Sequence, residues 1–318
     1  MPYRLLIGLA AGLISAVVFA SATTGPLLMR MVFFLLTPLA LFLAGLGLGP
    51  LAAAVAGIAG TLLVLVAGSP LGALVFAASH AVPVAVLTYL ASLNRPAAAG
   101  VEWYPIGRLV VVAALLAGMF STLMIFLLGA DTETLRETLR GGLDQFVNLR
   151  LQAMPDAPKL TVQEIDELAS VALALFPGFT ALWAMFSLLF NQWLAGRITL
   201  ASGRLQRPWP DLAAMTFPPM TALLLAVSTG AGFLAGLPGL IATAFAGSLF
   251  FAYVLLGLAV LHFVTRGRPW RPFALWGLYA ALFIMNTIAL LALALLGLAE
   301  AIWPMRKISP PPNGPPPV

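Results

Sequence analysis

Residues 27 to 67 form an almost uninterrupted apolar run that reads LLMRMVFFLLTPLALFLAGLGLGPLAAAVAGIAGTLLVLVA. Its single charge, Arg30, lies near the start. A helix needs about 20 apolar residues to cross a hydrocarbon core of roughly 30 Å, so this stretch is long enough to cross twice. It lacks the alternating polarity of barrel strands, and backbone groups in lipid must be satisfied internally. The stretch therefore predicts membrane helices.

Four residues divide this stretch, Gly47-Leu48-Gly49-Pro50. Proline cannot continue the donor ladder of a helix, and glycine permits a tight turn. The sequence predicts two spans here, 27–47 and 51–67, and the alternative is one bent segment over 27–67.

The rest of the chain repeats this pattern. Of its 318 residues, 61% are hydrophobic and 8% are charged, whereas a soluble domain carries roughly 25% charged residues. We predict an all-α fold, a polytopic transmembrane helical bundle over residues 1–307, followed by a disordered Pro-rich tail over 308–318. Seven further spans bring the total to nine, or to eight if 27–67 is one segment: 5–22, 71–93, 106–129, 168–195, 213–233, 238–264 and 273–299.

The first span carries small residues at every fourth position, namely Gly8, Gly12, Ala16 and Ala20. Such a stripe permits close approach of a second helix, so it predicts either helix packing or docking of a membrane-protein partner. Cleavage of the span as a secretory signal after Ala20-Ser21-Ala22 is the alternative.

Basic residues are concentrated in alternate short loops, which predicts a cytoplasmic N-terminus. The loops assigned to the inside carry Arg95, Arg108, Arg197, Arg204, Arg207, Arg266, Arg268 and Arg271. With nine spans Arg306 and Lys307 fall outside, and an eight-span count removes that conflict. The distribution suits a multi-pass protein of a bacterial inner membrane and is no signature of nucleic-acid binding.

One long segment, 131–167, lies outside the predicted spans and carries eight acids against four bases. Leu135, Leu139, Leu143 and Phe146 recur at helical spacing, which predicts an amphipathic helix on the outer surface, acting either as a lid or as a connector. Thr161 and Glu164 form a capping box that marks the start of the sixth helix.

Polar side chains at membrane depth are costly and are therefore the candidates for a ligand site. They are His80, Asn191, Gln192 and Asn286. For each, a structural hydrogen bond between helices is the alternative.

The sequence lacks the common motifs of catalytic and metal-binding sites. The chain has no cysteine, no HExxH pair, no GxxxxGK[ST] loop and no GxSxG elbow. We therefore expect no enzyme, no catalytic residue, no metal and no cofactor.

Two stretches carry a resemblance to known families. The run 257–263, then Arg266-Gly267-Arg268-Pro269-Trp270 and Gly297-Leu298-Ala299-Glu300-Ala301, resembles the YybS-like family of predicted bacterial membrane proteins. Leu48-Gly49-Pro50 leading into Gly57 and Gly60 looks like the entry to the third helix in the substrate-binding components of energy-coupling-factor transporters. The resemblance implies a bundle with an outward-opening cavity for a small molecule, and docking of the first helix onto a partner.

The function expected from these patterns is transporter-like binding of a small molecule, without an ATPase of its own. The alternative is a membrane scaffold that has no ligand.

Overall fold

In a computed structural model the chain is built mainly of helices, and the structure describes residues 2–23, 25–97, 100–129, 131–154 and 160–306. The helices are α1 (Pro2–Ser21), α2 (Leu27–Leu36), α3 (Leu39–Leu48), α4 (Pro50–Val66), α5 (Pro70–Phe76), α6 (Val82–Ser92), α7 (Ile106–Leu128), α8 (Thr132–Ala153), α9 (Val162–Ala201), α10 (Met220–Ala231), α11 (Leu237–Val264), α12 (Arg271–Ile284) and α13 (Asn286–Ile302). A π-helical turn (Ala77–Ala81) joins α5 to α6, and a 3-10 turn (Leu212–Ala214) precedes α10. Strands β1 (Asn94–Ala97) and β2 (Gly100–Trp103) form an antiparallel hairpin, which the sequence patterns did not predict.

Six helical segments within the described residues are long and apolar enough to cross a membrane: α1, α2 with α3, α5 with α6, α7, α9 and α11. Four other apolar helices, α4, α10, α12 and α13, have 10–17 residues. The predicted all-α transmembrane bundle is confirmed. The count of nine or eight spans stays a prediction, because it depends on which of the shorter helices cross.

The described residues fall into two compact units. Unit 1 draws on Met1–Ala113, Met185–Thr221 and Phe251–Val318, and unit 2 on Ala114–Ala184 and Ala222–Phe250. The predicted tail, 308–318, lies outside the described residues.

In unit 1, α1 packs against α4 through small residues. A methyl group added to Gly8 or Gly12 would collide with the carbonyl oxygens of Ala52 and Ala56. Membrane helices gain van der Waals contact by such close backbone approach. The predicted small-residue stripe is thus used, at these two positions, for packing inside unit 1.

A second close approach in unit 1 joins α11 to α13. A methyl group on Gly257 would overlap the carbonyl oxygen of Leu293, and one on Gly297 would overlap that of Tyr253. These two glycines therefore bring the backbones of α11 and α13 into contact.

Proline and glycine set the breaks between helices in the first part of the chain. The predicted break at Gly49-Pro50 is confirmed, because α3 ends at Leu48 and α4 begins at Pro50. Gly49 has a φ of 106°, a conformation that favours glycine. A further break follows Thr37, where Pro38 cannot donate a hydrogen bond.

The predicted last span, 273–299, is two helices rather than one. It divides at Met285 into α12 and α13.

In unit 2 the capping box predicted for the sixth helix is confirmed. The backbone N–H of Thr161 donates to Glu164 Oε2 at 2.7 Å, and the N–H of Glu164 donates to Thr161 Oγ1 at 3.3 Å. The helix that follows, α9, has 40 residues, which is about 60 Å and roughly twice the hydrocarbon thickness.

The predicted amphipathic segment contains one long helix, α8, capped by the carboxylate of Asp131. Leu135 is fully buried, and Arg140 forms an ion pair with Asp166 of α9 at 2.7 Å. The N-terminal half of α8 is therefore fixed to α9. Its position on the outer surface, and the choice between lid and connector, stay predictions.

Candidate functional site

A cavity of about 1090 Å³ lies within unit 1. Its walls come from α9, α11, α12, α13 and the start of α7, and one end is formed by the loop between α9 and α10. Most of its lining is aliphatic or aromatic, including Leu46, Ile106, Leu109, Val110, Phe186, Leu189, Phe190, Phe251, Val254, Leu255, Leu258, Leu282 and Leu290. The cavity is thus a largely apolar space between helices.

The polarity of the lining changes along α11. Phe251, Leu255 and Leu258 line the cavity within the helix. His262 lines it in the last turn, and Arg266 lines it two residues beyond the helix end. Residues 251 and 262 are about 16 Å apart along the axis, at 1.5 Å per residue. The polar groups therefore collect at the C-terminal end of α11, where the loop residues Arg207 and Asp211 also line the cavity.

An ion pair closes part of this polar end. Arg266 donates from both terminal nitrogens to the carboxylate of Asp211, with Nη1 at 2.7 Å from Oδ2. The hydrogen bonds from Arg266 lower the pKa of Asp211, and the same contact raises the pKa of Arg266. Asp211 also accepts from the N–H of Ala213 and so starts the 3-10 turn. The charge of Arg266 is thus already matched.

Two other arginines line the same space without a carboxylate partner among the described residues. Arg207 donates to the carbonyl of Ala91 at 3.4 Å, and its buried Nε has no hydrogen-bond partner there. Burial lowers the pKa of Arg207, and its guanidinium lies 5.9 Å from the ring centroid of Trp103. Arg271 is half-buried at the start of α12. The polar end therefore carries positive charge that is not neutralised.

A buried ion pair holds the loop that lines this end. Arg306 is fully buried, and its Nε donates to Glu300 Oε1 at 2.9 Å. Its terminal nitrogens donate to the carbonyl oxygens of Ala213 and Met215, both of which line the cavity. Arg306 thus fixes the loop from inside by charge-assisted hydrogen bonds, which are stronger than neutral ones.

Of the four predicted ligand-binding residues, Gln192 lines the cavity and the other three do not. Asn191, fully buried, donates to the carbonyl of Leu35 at 2.6 Å and to that of Ser187 at 2.7 Å. Ser187 also donates to Leu35 at 3.0 Å. Leu35 lies in the last turn of α2, where carbonyls lack donors within the helix, and these two side chains donate to it.

His80 lies in a packed aromatic cluster. Its ring centroid is 5.1 Å from that of Phe34 and 5.9 Å from those of Phe19 and Phe76. Neither ring nitrogen makes a hydrogen bond of good geometry to a described residue. His80 also occupies a π-helical turn, a feature often found at functional sites.

The remaining predicted residues lie outside the cavity. Asn286 is exposed at the start of α13. Gly8, Gly12 and Ala16 are buried in unit 1, whereas Ala20 is exposed. Within the described residues, His, Asp and Glu side chains do not come together in a group of three that could hold a metal.

The sequence analysis missed the arginines and Asp211, because it used the basic loops only as topology signals. One signal could have found them. Asp211 is the only acid between residues 168 and 299, and it stands beside a cluster of loop arginines.

Comparison with known proteins gives one match. A family model described as "Predicted membrane protein (DUF2232)" matches residues 13–300, which is most of the chain. No curated protein and no solved structure matches it.

Proposed function

This chain belongs to the DUF2232 family of predicted membrane proteins, and we propose that it binds a small molecule in the cavity of unit 1. The observation that carries the proposal is the cavity itself, about 1090 Å³ with apolar walls and a polar end. Ligand sites in proteins typically measure about 300–1,000 Å³ and combine apolar walls with a few polar groups. At about 1090 Å³ the cavity is slightly larger than this typical range, so it has room for a sizeable ligand.

The proposal includes transporter-like action without an energy source in this chain. The absence of a GxxxxGK[ST] loop from the sequence supports this part, as does the absence of the catalytic motifs that an enzyme would need. The resemblance to the YybS-like family and to energy-coupling-factor components points the same way, and it implies a partner that supplies energy.

We also propose an orientation in the membrane. Basic loops favour a bacterial inner membrane with a cytoplasmic N-terminus. The polar end of the cavity, which includes Arg207 and Arg266, would then face the cytoplasm.

A ligand screen tests the proposal. We expect at least one compound among vitamins, amino acids, nucleosides and lipids to raise the melting temperature of the purified full chain. A ligand at one hundred times its Kd stabilises the folded state by about 2.7 kcal/mol, which is a measurable shift.

Two variants of α9 make the screen specific to the cavity. Leu189→Trp fills the cavity and should abolish the shift, since Leu189 lines it. Ile198→Trp is the matched control, because Ile198 is exposed on the same helix and does not line the cavity. If no compound raises the melting temperature, or if a compound raises it equally in both variants, the alternative of a scaffold without a ligand is favoured.

A further inference from the structure

The unit 1 cavity joins a long apolar wall to an excess of positive charge at one end. Three arginines and one aspartate line it, Arg207, Arg266, Arg271 and Asp211, which leaves two positive charges in excess. Because Arg266 is paired with Asp211, the excess belongs to Arg207 and Arg271. A ligand that matches this cavity has an apolar body and an anionic head.

From these features, and resting on the proposed function, we infer that the cavity binds a lipid with a phosphate monoester head, held by Arg207 and Arg271. Its apolar chains would lie along Phe251, Leu255 and Leu258 of α11.

Charge favours phosphate over a carboxylate head. A phosphate monoester carries about −1.5 to −2 charges at neutral pH, close to the two unmatched positive charges, whereas a carboxylate carries one. The planar fork of arginine also fits phosphate oxygens with two parallel hydrogen bonds. Arg207 lines the cavity, and no carboxylate among the described residues pairs with it, so its charge is available to such a head.

The apolar walls favour a lipid over a soluble phosphate compound. A cavity of this volume lined by aliphatic and aromatic side chains would be poorly filled by a hydrated head alone. Basic pockets between membrane helices on the cytoplasmic side are known to take anionic lipid heads. The N-terminus of α12, where Arg271 is the first residue, adds partial positive charge at the same place.

The test measures binding of three probes to the purified full chain in neutral detergent, by native mass spectrometry and by thermal shift. The probes are dioctanoyl phosphatidic acid, dioctanoyl phosphatidylcholine and inorganic phosphate. We expect phosphatidic acid to bind at least tenfold more tightly than phosphatidylcholine, and inorganic phosphate to give no shift at the same concentration.

Matched arginine variants locate the head. Arg207→Ala and Arg271→Ala should each weaken phosphatidic acid binding at least tenfold, because each removes charge-assisted hydrogen bonds to the head. Arg204→Ala and Arg268→Ala are the controls, since each residue is exposed, precedes its partner in the comparison by three positions and does not line the cavity. Arg207→Lys and Arg271→Lys, which keep the charge, serve if the alanine variants fold poorly, and they should retain part of the affinity.

The outcomes separate this inference from the proposed function. Equal binding of the two lipids, or equal losses in the lining and control variants, overturns the phosphate inference and leaves a ligand-binding cavity standing. Equal binding of inorganic phosphate overturns the lipid assignment. If no probe binds while another compound in the wider screen does, only the inference fails, and if nothing binds at all, both fail.

Discussion

The buried pair Glu300–Arg306 allows the sharpest test of the structure. Both side chains are removed from water, with 5% and 0% of their surfaces exposed. Arg306 donates to Glu300 and to the carbonyls of Ala213 and Met215, and Glu300 accepts a further bond from the N–H of Met305 at 2.9 Å. The proposed perturbation is a double-mutant cycle with Glu300→Gln and Arg306→Met.

The expected magnitudes follow from these contacts. Glu300→Gln keeps the shape of the side chain but leaves Arg306 as a buried charge without a counter-ion, which typically costs about 3–5 kcal/mol. Arg306→Met should lie at the upper end of the same range, because it also removes the donors of two carbonyls. In the Arg306→Met background, however, Glu300→Gln removes an uncompensated buried charge. There it should stabilise the protein, so the sign of its effect reverses.

The free energy of unfolding can be followed by titrating the purified full chain with SDS in mixed micelles, using the fluorescence of its seven tryptophans. A loss of about 3 kcal/mol changes the folding equilibrium more than a hundredfold and is easily resolved. If Glu300→Gln costs the same free energy of unfolding in both backgrounds, the two side chains are energetically independent and the buried pair does not stabilise the fold as described.

Three further predictions concern packing, a buried ring and pH. Gly12→Val should lower the free energy of unfolding by about 3 kcal/mol or more, because the valine side chain would meet the backbone of Ala56. Gly277→Ala is the control and should leave that free energy unchanged, since there is open space at its Cβ. His80→Phe should leave the melting temperature unchanged or raise it, since the imidazole lies among phenylalanine rings and makes no hydrogen bond to a described residue. A fall of more than about 2 kcal/mol in the free energy of unfolding would show that the imidazole is hydrogen-bonded in the native protein. The pKa of Asp211 is lowered in the folded state, so its stabilising effect is present above the unfolded value of about 3.9 and is lost as the pH falls through the folded value. The stability gap between wild type and Asp211→Asn should therefore stay constant from about pH 5 to pH 8 and close below about pH 4, and a gap that closes near neutral pH would contradict this.

Structural features that depend on only a few neighbouring residues were predicted correctly from the sequence. The capping box at Thr161 and Glu164 and the break at Gly49-Pro50 are both found in the structure. Such features depend on the geometry of one turn, so the residues themselves contain the necessary information. The division of the last span at Met285 was missed, since no proline or glycine marks it.

The candidate site was mostly not predictable. Membrane depth selected His80 and Asn191, but the structure places one among phenylalanine rings and the other on the free carbonyl of Leu35. A buried polar group can satisfy packing or hydrogen bonding just as well as a ligand, and sequence position does not separate these uses. Gln192, one residue further along α9, does line the cavity because it lies on another face of the helix.

The all-α membrane fold follows from the amino-acid sequence alone, because the length and polarity of apolar runs determine whether a backbone can be satisfied in lipid. The position of the charged groups at one end of an apolar cavity is visible only once the helices are packed. Asp211 and Arg266 are 55 residues apart and Arg306 lies 93 residues from Ala213, yet each pair is in contact. These contacts depend on how helices pack, which in turn depends on small residues such as Gly257 and Gly297 at particular crossing points. Such crossings are set by the whole fold, so no local pattern specifies them.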